Sequence, residues 1–312
     1  MKFFARAAAQ SAWTVISEAE GTLRFVHSEA RDFAKPRVLA FGETATGLQH
    51  DLARLVKGLR IPRAGARAML LNEPDYRIHM VDAPSVPASE LKSAMKWRLK
   101  EIIEFPVEEA SYDVLDLPSD RRGSDQSRSV YAIAAKRALL KGYVERFDKA
   151  KLPITVMDIP ETAQRNIAAL YEEENRAVAL LYLGEADALL TVSAGGDLYL
   201  ARRLDISLAQ VRKFEGEARS DLFYRVMLEL QRTLDNFERQ FTFLAIGKLL
   251  LAPQPEETGL LDYLVANLGI KVESLDLRTV LDMPNGEEMD AQAQWRYFHL
   301  IGCSLRHEAP VQ

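Results

Sequence analysis

The chain has 312 residues, 48% hydrophobic and 27% charged, which gives room for one large domain or two medium ones with ordinary globular cores. A formal net charge of −5 provides no global basic field for nucleic acid, and the lone cysteine, Cys303, excludes an internal disulfide or a thiolate metal cluster and fits a reducing compartment. No apolar run approaches the ~20 residues needed to span a bilayer, and the opening MKFFARAAAQSAW lacks the apolar core of a secretion signal.

Ala12–Ser17, Thr22–His27 and Arg37–Phe41 read as three short strands of a meander. Leu48, Leu52, Leu55, Val56 and Leu59 recur at helical spacing and predict a helix over Thr46–Leu59, stopped by Pro62. Ala68–Leu71 and Arg77–Val81 flank a turn at Asn72-Glu73-Pro74-Asp75. Ser89 then stands as N-cap of a helix from about Glu90 to Glu104, with Leu91, Met95, Leu99 and Ile102 on one face and Phe105-Pro106 as its stop. Lys92, Lys96 and Lys100 make a basic stripe at i, i+4, i+8. Its ordinary reading is a solvated face; its sharper one is contact with an anionic membrane surface or an acidic partner. Trp97 beside it reads as core or as an interface anchor, with core the commoner role.

Glu109–Leu117 predicts a strand, Pro118–Ser129 a polar loop, Val130–Ala135 a buried strand and Arg137–Lys149 an amphipathic helix. Ile154–Ile159 is extended, and Pro160–Glu174 reads as a helix. A second, stronger meander follows. Ala177–Leu183 and Ala188–Ser193 are apolar runs of the kind found in strands buried on both faces, separated by the turn Gly184–Asp187. Ala194–Asp197 turns the chain again, and Leu198, Leu200, Leu204 and Ile206 share one face of a third strand, with Arg203 and Asp205 on the other. Asp221–Phe241 is the longest predicted helix. Ala245–Ala252 reads as a strand, Gly259–Leu268 as a helix, Val272–Leu275 as a strand and Trp295–Leu305 as the closing helix. Two meanders, each followed by helix and strand, suggest a duplicated α/β half.

Common enzyme signatures are absent. Gly247-Lys248 lacks the upstream glycine and the hydroxyl residue of a phosphate loop, and Ser193-Ala194-Gly195-Gly196 is not a nucleophile elbow. The five histidines have no ligand-like spacing, Glu172–Glu174 suits a solvated helix end, and Cys303 suits a small buried apolar position. No catalytic or metal-ligating set emerges.

Several stretches in order resemble one family. MKWRLKEIIEFPVEEASYDV (Met95–Val114), Ser129–Leu170, VMLELQRTLDNFERQF (Val226–Phe241) and HLIGCSLR (His299–Arg306) are similar to segments of PilM-like proteins, the cytoplasmic actin-like components of type IV pilus assembly. The resemblance runs from about Met69 onward and is strongest to the MshI branch, which serves mannose-sensitive haemagglutinin (MSHA) pili. It implies an α/β, two-lobed actin-like (ribonuclease H-like) fold: a first lobe over 1–176 with an extra subdomain inserted at about 82–156, and a second lobe over 177–312 that includes the helix 221–241.

In such folds a meander turn cradles phosphate and an acidic residue at its edge holds the metal. Here that edge reads Tyr182-Leu183-Gly184, no Asp-x-Gly precedes Thr44, and Leu251-Ala252-Pro253-Gln254 stands where the family has a Gly-Gly adenosine turn. A magnesium nucleotide needs a carboxylate for the hydrated metal and close backbone approach to phosphate. Tyrosine supplies no ligand, and proline removes a donor. The resemblance therefore implies a pseudo-ATPase without cofactor or metal, its phosphate turn (Tyr182, Gly184, Glu185, Asp187) vestigial.

As partners it implies the N-terminal cytoplasmic tail of a PilN-like or MshJ-like single-span inner-membrane protein, and with it the motor ATPase or platform protein. No nucleic acid is expected, and membrane association is peripheral, through partners. The tail groove would lie between main lobe and subdomain, near Glu90–Phe105 and Tyr131–Ala135, with Trp97, Phe105 and Tyr131 as candidate anchors. Two alternatives stay open: an ATP-binding member in which Glu185 or Asp187 supplies a displaced carboxylate, and the cytoplasmic actin-like module of a type II secretion system, which usually continues into a transmembrane helix.

Overall fold

Both meanders form, and each seeds a five-stranded sheet of the same order. The computed structural model describes residues 12–306 apart from 20, 30–34, 47–51, 63–64, 119–128 and 284–288. The predicted loop 118–129 and the first eleven residues thus fall largely outside the described residues.

The first lobe opens with β1 (Ala12–Ala19), β2 (Thr22–Glu29) and β3 (Arg37–Ala45), antiparallel in succession. Helix α1 (Leu52–Gly58) leads back to β4 (Ala66–Leu70), which pairs parallel with β1. An insert follows: β5 (Tyr76–Asp82), α2 (Ala88–Ile102), β6 (Ala110–Asp116), β7 (Ser129–Lys136) and α3 (Arg137–Lys149). Strand β8 (Val156–Asp158) then joins β4 in parallel and helix α4 (Pro160–Ala168) closes the lobe, giving the sheet order β3-β2-β1-β4-β8.

The second lobe repeats the scheme with β9 (Arg176–Leu183), β10 (Ala188–Ala194), β11 (Asp197–Leu204), α5 (Leu208–Lys213), α6 (Gly216–Gln240), β12 (Ala245–Leu251), α7 (Leu260–Asn267), β13 (Val272–Ser274) and α8 (Ala291–Ser304). Its order, β11-β10-β9-β12-β13, copies the first strand for strand. The β10–β11 turn needs positive φ at both central residues, and Gly195 (60°) and Gly196 (79°) supply it. Burial on both faces explains why β10 is apolar throughout: all seven of its residues are buried.

Within the insert, β5-β7-β6 form a three-stranded sheet. Strand β5 pairs with β7, so Tyr76–Asp82 belongs to the insert sheet. The alternation along β7 divides its side chains. Val130, Ala132 and Ala134 pack against Leu91, Met95 and Leu99 of α2, whereas Tyr131 packs into the second-lobe core and Ala135 into the first-lobe core. Helix α2 therefore covers the outer face of the insert. It begins at Ala88 with Pro87 as N-cap, so Ser89 lies inside the first turn rather than at the cap. The predicted helix 160–174 is shorter, α4 giving way to a 3-10 turn at Ala169–Tyr171.

The centre of the molecule is the crossing of α4 and α8. Gly302 of α8 lies so close to α4 that a Cβ there would stand 2.1 Å from the Ala163 carbonyl oxygen. Phe298, Ile301 and Ile167 fill the space between the two sheets, against Val15, Ala68 and Leu180.

Candidate functional site

The resemblance marks three places for a nucleotide: the hairpin turns of the two meanders and the strand end before Pro253. At the second turn, Tyr182 does not point into open space. Its hydroxyl donates to the Trp295 carbonyl at 3.1 Å, while the Trp295 indole N–H donates to the Leu183 carbonyl at 2.8 Å. The Tyr182 ring stacks on Trp295 and Phe298 with centroids at 6.4 and 5.3 Å and tilts against His299 at 4.3 Å. Burial pushes the phenol above its ordinary value. Tyrosine at this edge is thus packing between β9 and α8.

Three described acidic residues near the two turns, Glu18, Glu185 and Asp187, are held by arginines. Asp187 accepts from Arg203 of β11 at 2.6 Å. Glu185 takes Arg212 of α5 through both oxygens at 2.8 Å, and the same guanidinium reaches Glu256 at 2.5 Å. Glu18, at the end of β1, binds Arg146 of α3 at 2.5 Å. The amide N–H of Gly184 is used by the Asp187 carbonyl at 2.8 Å. A carboxylate bound to a guanidinium fork is occupied in the geometry a hydrated metal would need.

Arg203 also joins the lobes. Its Nε lies 2.9 Å from Glu73 Oε2, and its Nη2 lies 3.2 Å from the Tyr76 hydroxyl and 3.4 Å from Glu161 Oε1. Tyr76 in turn donates to Glu161 Oε2 at 2.7 Å. Glu161 is buried, which raises its carboxyl pKa although Tyr76 and Arg203 pull the other way. Next to it, the buried Gln164 donates its amide to the Leu180 and Leu189 carbonyls at 2.6 and 3.1 Å, which leaves its oxygen for His299 Nε2 at 3.2 Å. His299 therefore carries its proton on Nε2. Burial, with Arg203 nearby, lowers its pKa to about 3, so the ring is neutral at physiological pH.

At the third place, the Ala252 N–H donates to the Leu181 carbonyl at 2.8 Å and Pro253 has no N–H to offer. A cavity of about 540 Å³ opens beyond it, bordered by Gln254, Thr258, Asp276 and Gln294.

A second concavity, about 220 Å³, lies where the insert meets the first lobe. Asp113, Leu115 and Ile133 of the insert face Met157, Thr162 and Arg165 of the main lobe across it. Its floor is fixed by Asp158, which binds Arg306 at 2.9 Å and also accepts from Thr162. Of the stretches the sequence pointed to for a groove, only Tyr131–Ala135 contributes to this one, through Ile133. Tyr131 itself is buried, its hydroxyl accepting the Ala201 N–H at 2.9 Å and its pKa pushed up to about 12 by burial. It ties insert to second lobe. Phe105 lies half-buried with the Lys136 ammonium 5.7 Å from its ring centroid. Trp97 is 75% exposed on the outer side of α2, so the core reading is overturned: two residues beyond Met95, it falls on the opposite side of the helix from the buried stripe.

No family model matches the sequence, and no curated protein matches it. Among solved structures, the PilM-PilN type IV pilus biogenesis complex matches with a TM-score of 0.72 and 20% identity over 96% of this chain and 99% of that one. A Bacteroides thetaiotaomicron protein of actin-like ATPase fold and unknown function matches with a TM-score of 0.49 and 11% identity, covering 95% of this chain and 99% of that one. The cytoplasmic domain of EpsL, an inner membrane component of the Vibrio cholerae type II secretion system, gives a TM-score of 0.47 and 14% identity over 92% and 95% of the two chains. The repeated sheets and crossing helices define an actin-like α/β fold. In form it is similar to the PilM-PilN structure. Among the described residues, no helix is long and apolar enough to cross a membrane.

Proposed function

We propose that this chain is a scaffold of a type IV pilus machine, of the MSHA kind, that holds the N-terminal cytoplasmic tail of a PilN-like single-span membrane protein and does not hydrolyse ATP. In this reading it sits at the inner membrane through that partner and links it to the platform or motor ATPase. The observation that carries the non-hydrolysing part is the pairing of Glu18, Glu185 and Asp187 with Arg146, Arg212 and Arg203. The alternative, a displaced carboxylate at Glu185 or Asp187 holding Mg-ATP, would first have to break these pairs. The tail-binding part is supported by the concavity between insert and lobe. It presents apolar Leu115, Ile133 and Met157 beside β6, an edge strand able to accept an extended peptide.

Calorimetric titration tests both parts. Mg-ATP is expected to give no saturable heat at concentrations that would detect a Kd of about 1 mM, or ~−4 kcal/mol. A peptide of the PilN-like partner's cytoplasmic tail is expected to bind, and alanine at a true anchor, Leu115 or Met157, to weaken it by about 2 kcal/mol. Saturable Mg-ATP binding abolished by Asp187→Ala would replace this reading with a nucleotide-switched one. Unchanged peptide binding in both alanine variants would move the tail elsewhere.

A further inference from the structure

Helix α2 has one side with no partner among the described residues. Its buried stripe, Leu91, Met95 and Leu99, lies on the outer face of the insert sheet, so the rest of the helix projects away from the molecule. Every charged residue from Leu91 to Lys100 is a cation: Lys92, Lys96, Arg98 and Lys100. All four are exposed, in a chain whose net charge is −5. Lys92 pairs with Asp113 at 2.9 Å across an exposed surface, while Lys96, Arg98 and Lys100 have no ion-pair partner among the described residues. Glu90 and Glu101, seven residues before and four after Trp97, lie on the indole's side of the helix, so the cationic flank is the one that Lys96 and Lys100 share. Beside the lysines stands Trp97, the most exposed of the large apolar side chains in the described residues at 75%.

We propose that this face of α2 rests directly on an anionic phospholipid surface, with Trp97 at headgroup depth and Lys96 and Lys100 against the lipid charges. Among the described residues, Trp97 itself lines no concavity, although Arg98, Glu101 and Ile102 of α2 border one of about 290 Å³ with Met80 of β5. One feature favours lipid over an acidic protein. An indole flanked by long-stemmed lysines matches the amphipathic boundary of a bilayer, where tryptophan settles and lysine stems reach the headgroups. The 15-residue helix spans about 22 Å, long enough to lay three turns of lysines along the surface. One indole and a few cations give weak, reversible attachment. The contact is independent of the tail-binding reading, because it needs lipid alone.

The test uses the full chain and two kinds of vesicle: phosphatidylcholine with one third phosphatidylglycerol, and phosphatidylcholine alone. Co-sedimentation is expected with the anionic vesicles only, falling as salt rises. Lys96→Gln/Lys100→Gln should lower the partition coefficient about 30-fold, roughly fivefold for each cation near such a surface. Tryptophan emission should shift to the blue on binding. Trp13 is buried and the Trp295 N–H is held by Leu183, so Trp97→Ala should remove that shift. These side chains are exposed, so unchanged thermal unfolding is the control that the variants fold. Equal binding to both vesicles, no binding to the anionic ones, or undiminished binding by the double glutamine variant overturns the proposal. So does an acidic protein partner that needs Lys96 and Lys100 while anionic vesicles do not bind.

Discussion

Arg203→Met removes the cation at the junction of the two lobes. The guanidinium faces Glu73, Tyr76, Glu161 and Asp187, and of these Glu161 is 1% exposed. Deleting one member of a buried ion pair costs about 3–5 kcal/mol, because the remaining charge stays buried without compensation. Arg203 keeps 29% of its side chain exposed, and Glu73 and Asp187 are free to turn to water, so the expected loss is lower, about 2–3 kcal/mol near pH 8.

The loss depends on pH. Burial already raises the Glu161 carboxyl, and without Arg203 it rises further. A group with a folded pKa above its unfolded one contributes stability below the unfolded value and loses it as pH rises through the folded value. The gap between variant and parent should therefore be widest near pH 8 and narrow toward pH 5. Urea unfolding at both pH values, with Glu161→Gln and the double variant, measures this. A coupling energy of about 1–3 kcal/mol is expected from the cycle. Parent-like stability of Arg203→Met at pH 8, or strict additivity in the double variant, would refute the clamp.

Three further outcomes follow from other contacts. Gly302→Ala should destabilise the fold by about 3 kcal/mol or more, since its Cβ meets the Ala163 carbonyl at 2.1 Å and backbone cannot swing aside; thermal unfolding within a degree of the parent would contradict this packing. His299 has a folded pKa near 3 against an ordinary 6.5, so the unfolded chain binds more protons between these values and stability falls with pH, by about 2 kcal/mol at pH 5. His299→Asn should flatten that part of the profile and leave a smaller slope of the same sign from His27, whose pKa burial also lowers; an unchanged profile would place His299 in water. Cys303 is buried and its thiol pKa is raised, first by burial and then by Asp158, so a thiol reagent should label it only after unfolding; rapid labelling of the native chain would refute its burial.

The sheets were legible because their strands carry the signal themselves. Strand β10 has no polar face to show, so it reads as an uninterrupted apolar run, and the Gly195-Gly196 turn marks its end. Helix α6 was legible only from its apolar stripe onward. Its opening residues, Gly216 to Ser220, form a polar turn that periodicity does not register. Helix α5 escaped notice, although Ser207 and Gln210 form a capping box that Ser-x-x-Gln could have flagged. For Trp97 the helical phase removes the core reading: the buried positions 91, 95 and 99 assign position 97 to the far side. What no local pattern could supply is the choice of partners. Asp187 and Arg203 are 16 residues apart, Glu185 and Arg212 are 27 apart, and Glu18 and Arg146 are 128 apart. Each pair is created by the fold.

The same non-local contacts bear on how a ligand could act between the lobes. In a two-lobed fold, a ligand in the cleft can govern the angle between lobes only if the lobes depend on it for their contact. Here the chain's own side chains make that contact. From α4 of the first lobe, Gln164 binds the carbonyls of β9 and β10. From the first lobe to the end of α8 run Ser28 to the Ser304 carbonyl at 3.1 Å and Asn166 to the Gly302 carbonyl at 3.0 Å. The insert is fastened to β11 twice, by Tyr131 on the Ala201 N–H and by Tyr76 on Arg203. Insert, first lobe and second lobe are thereby joined through short polar links, backed by apolar clusters that each draw on two of the three parts. A peptide seated against β6 and β7 would bear on an insert linked to both lobes, which is what the proposed scaffold role asks of it. A nucleotide cycle would have to open links at Arg203, Gln164 and Asn166 together.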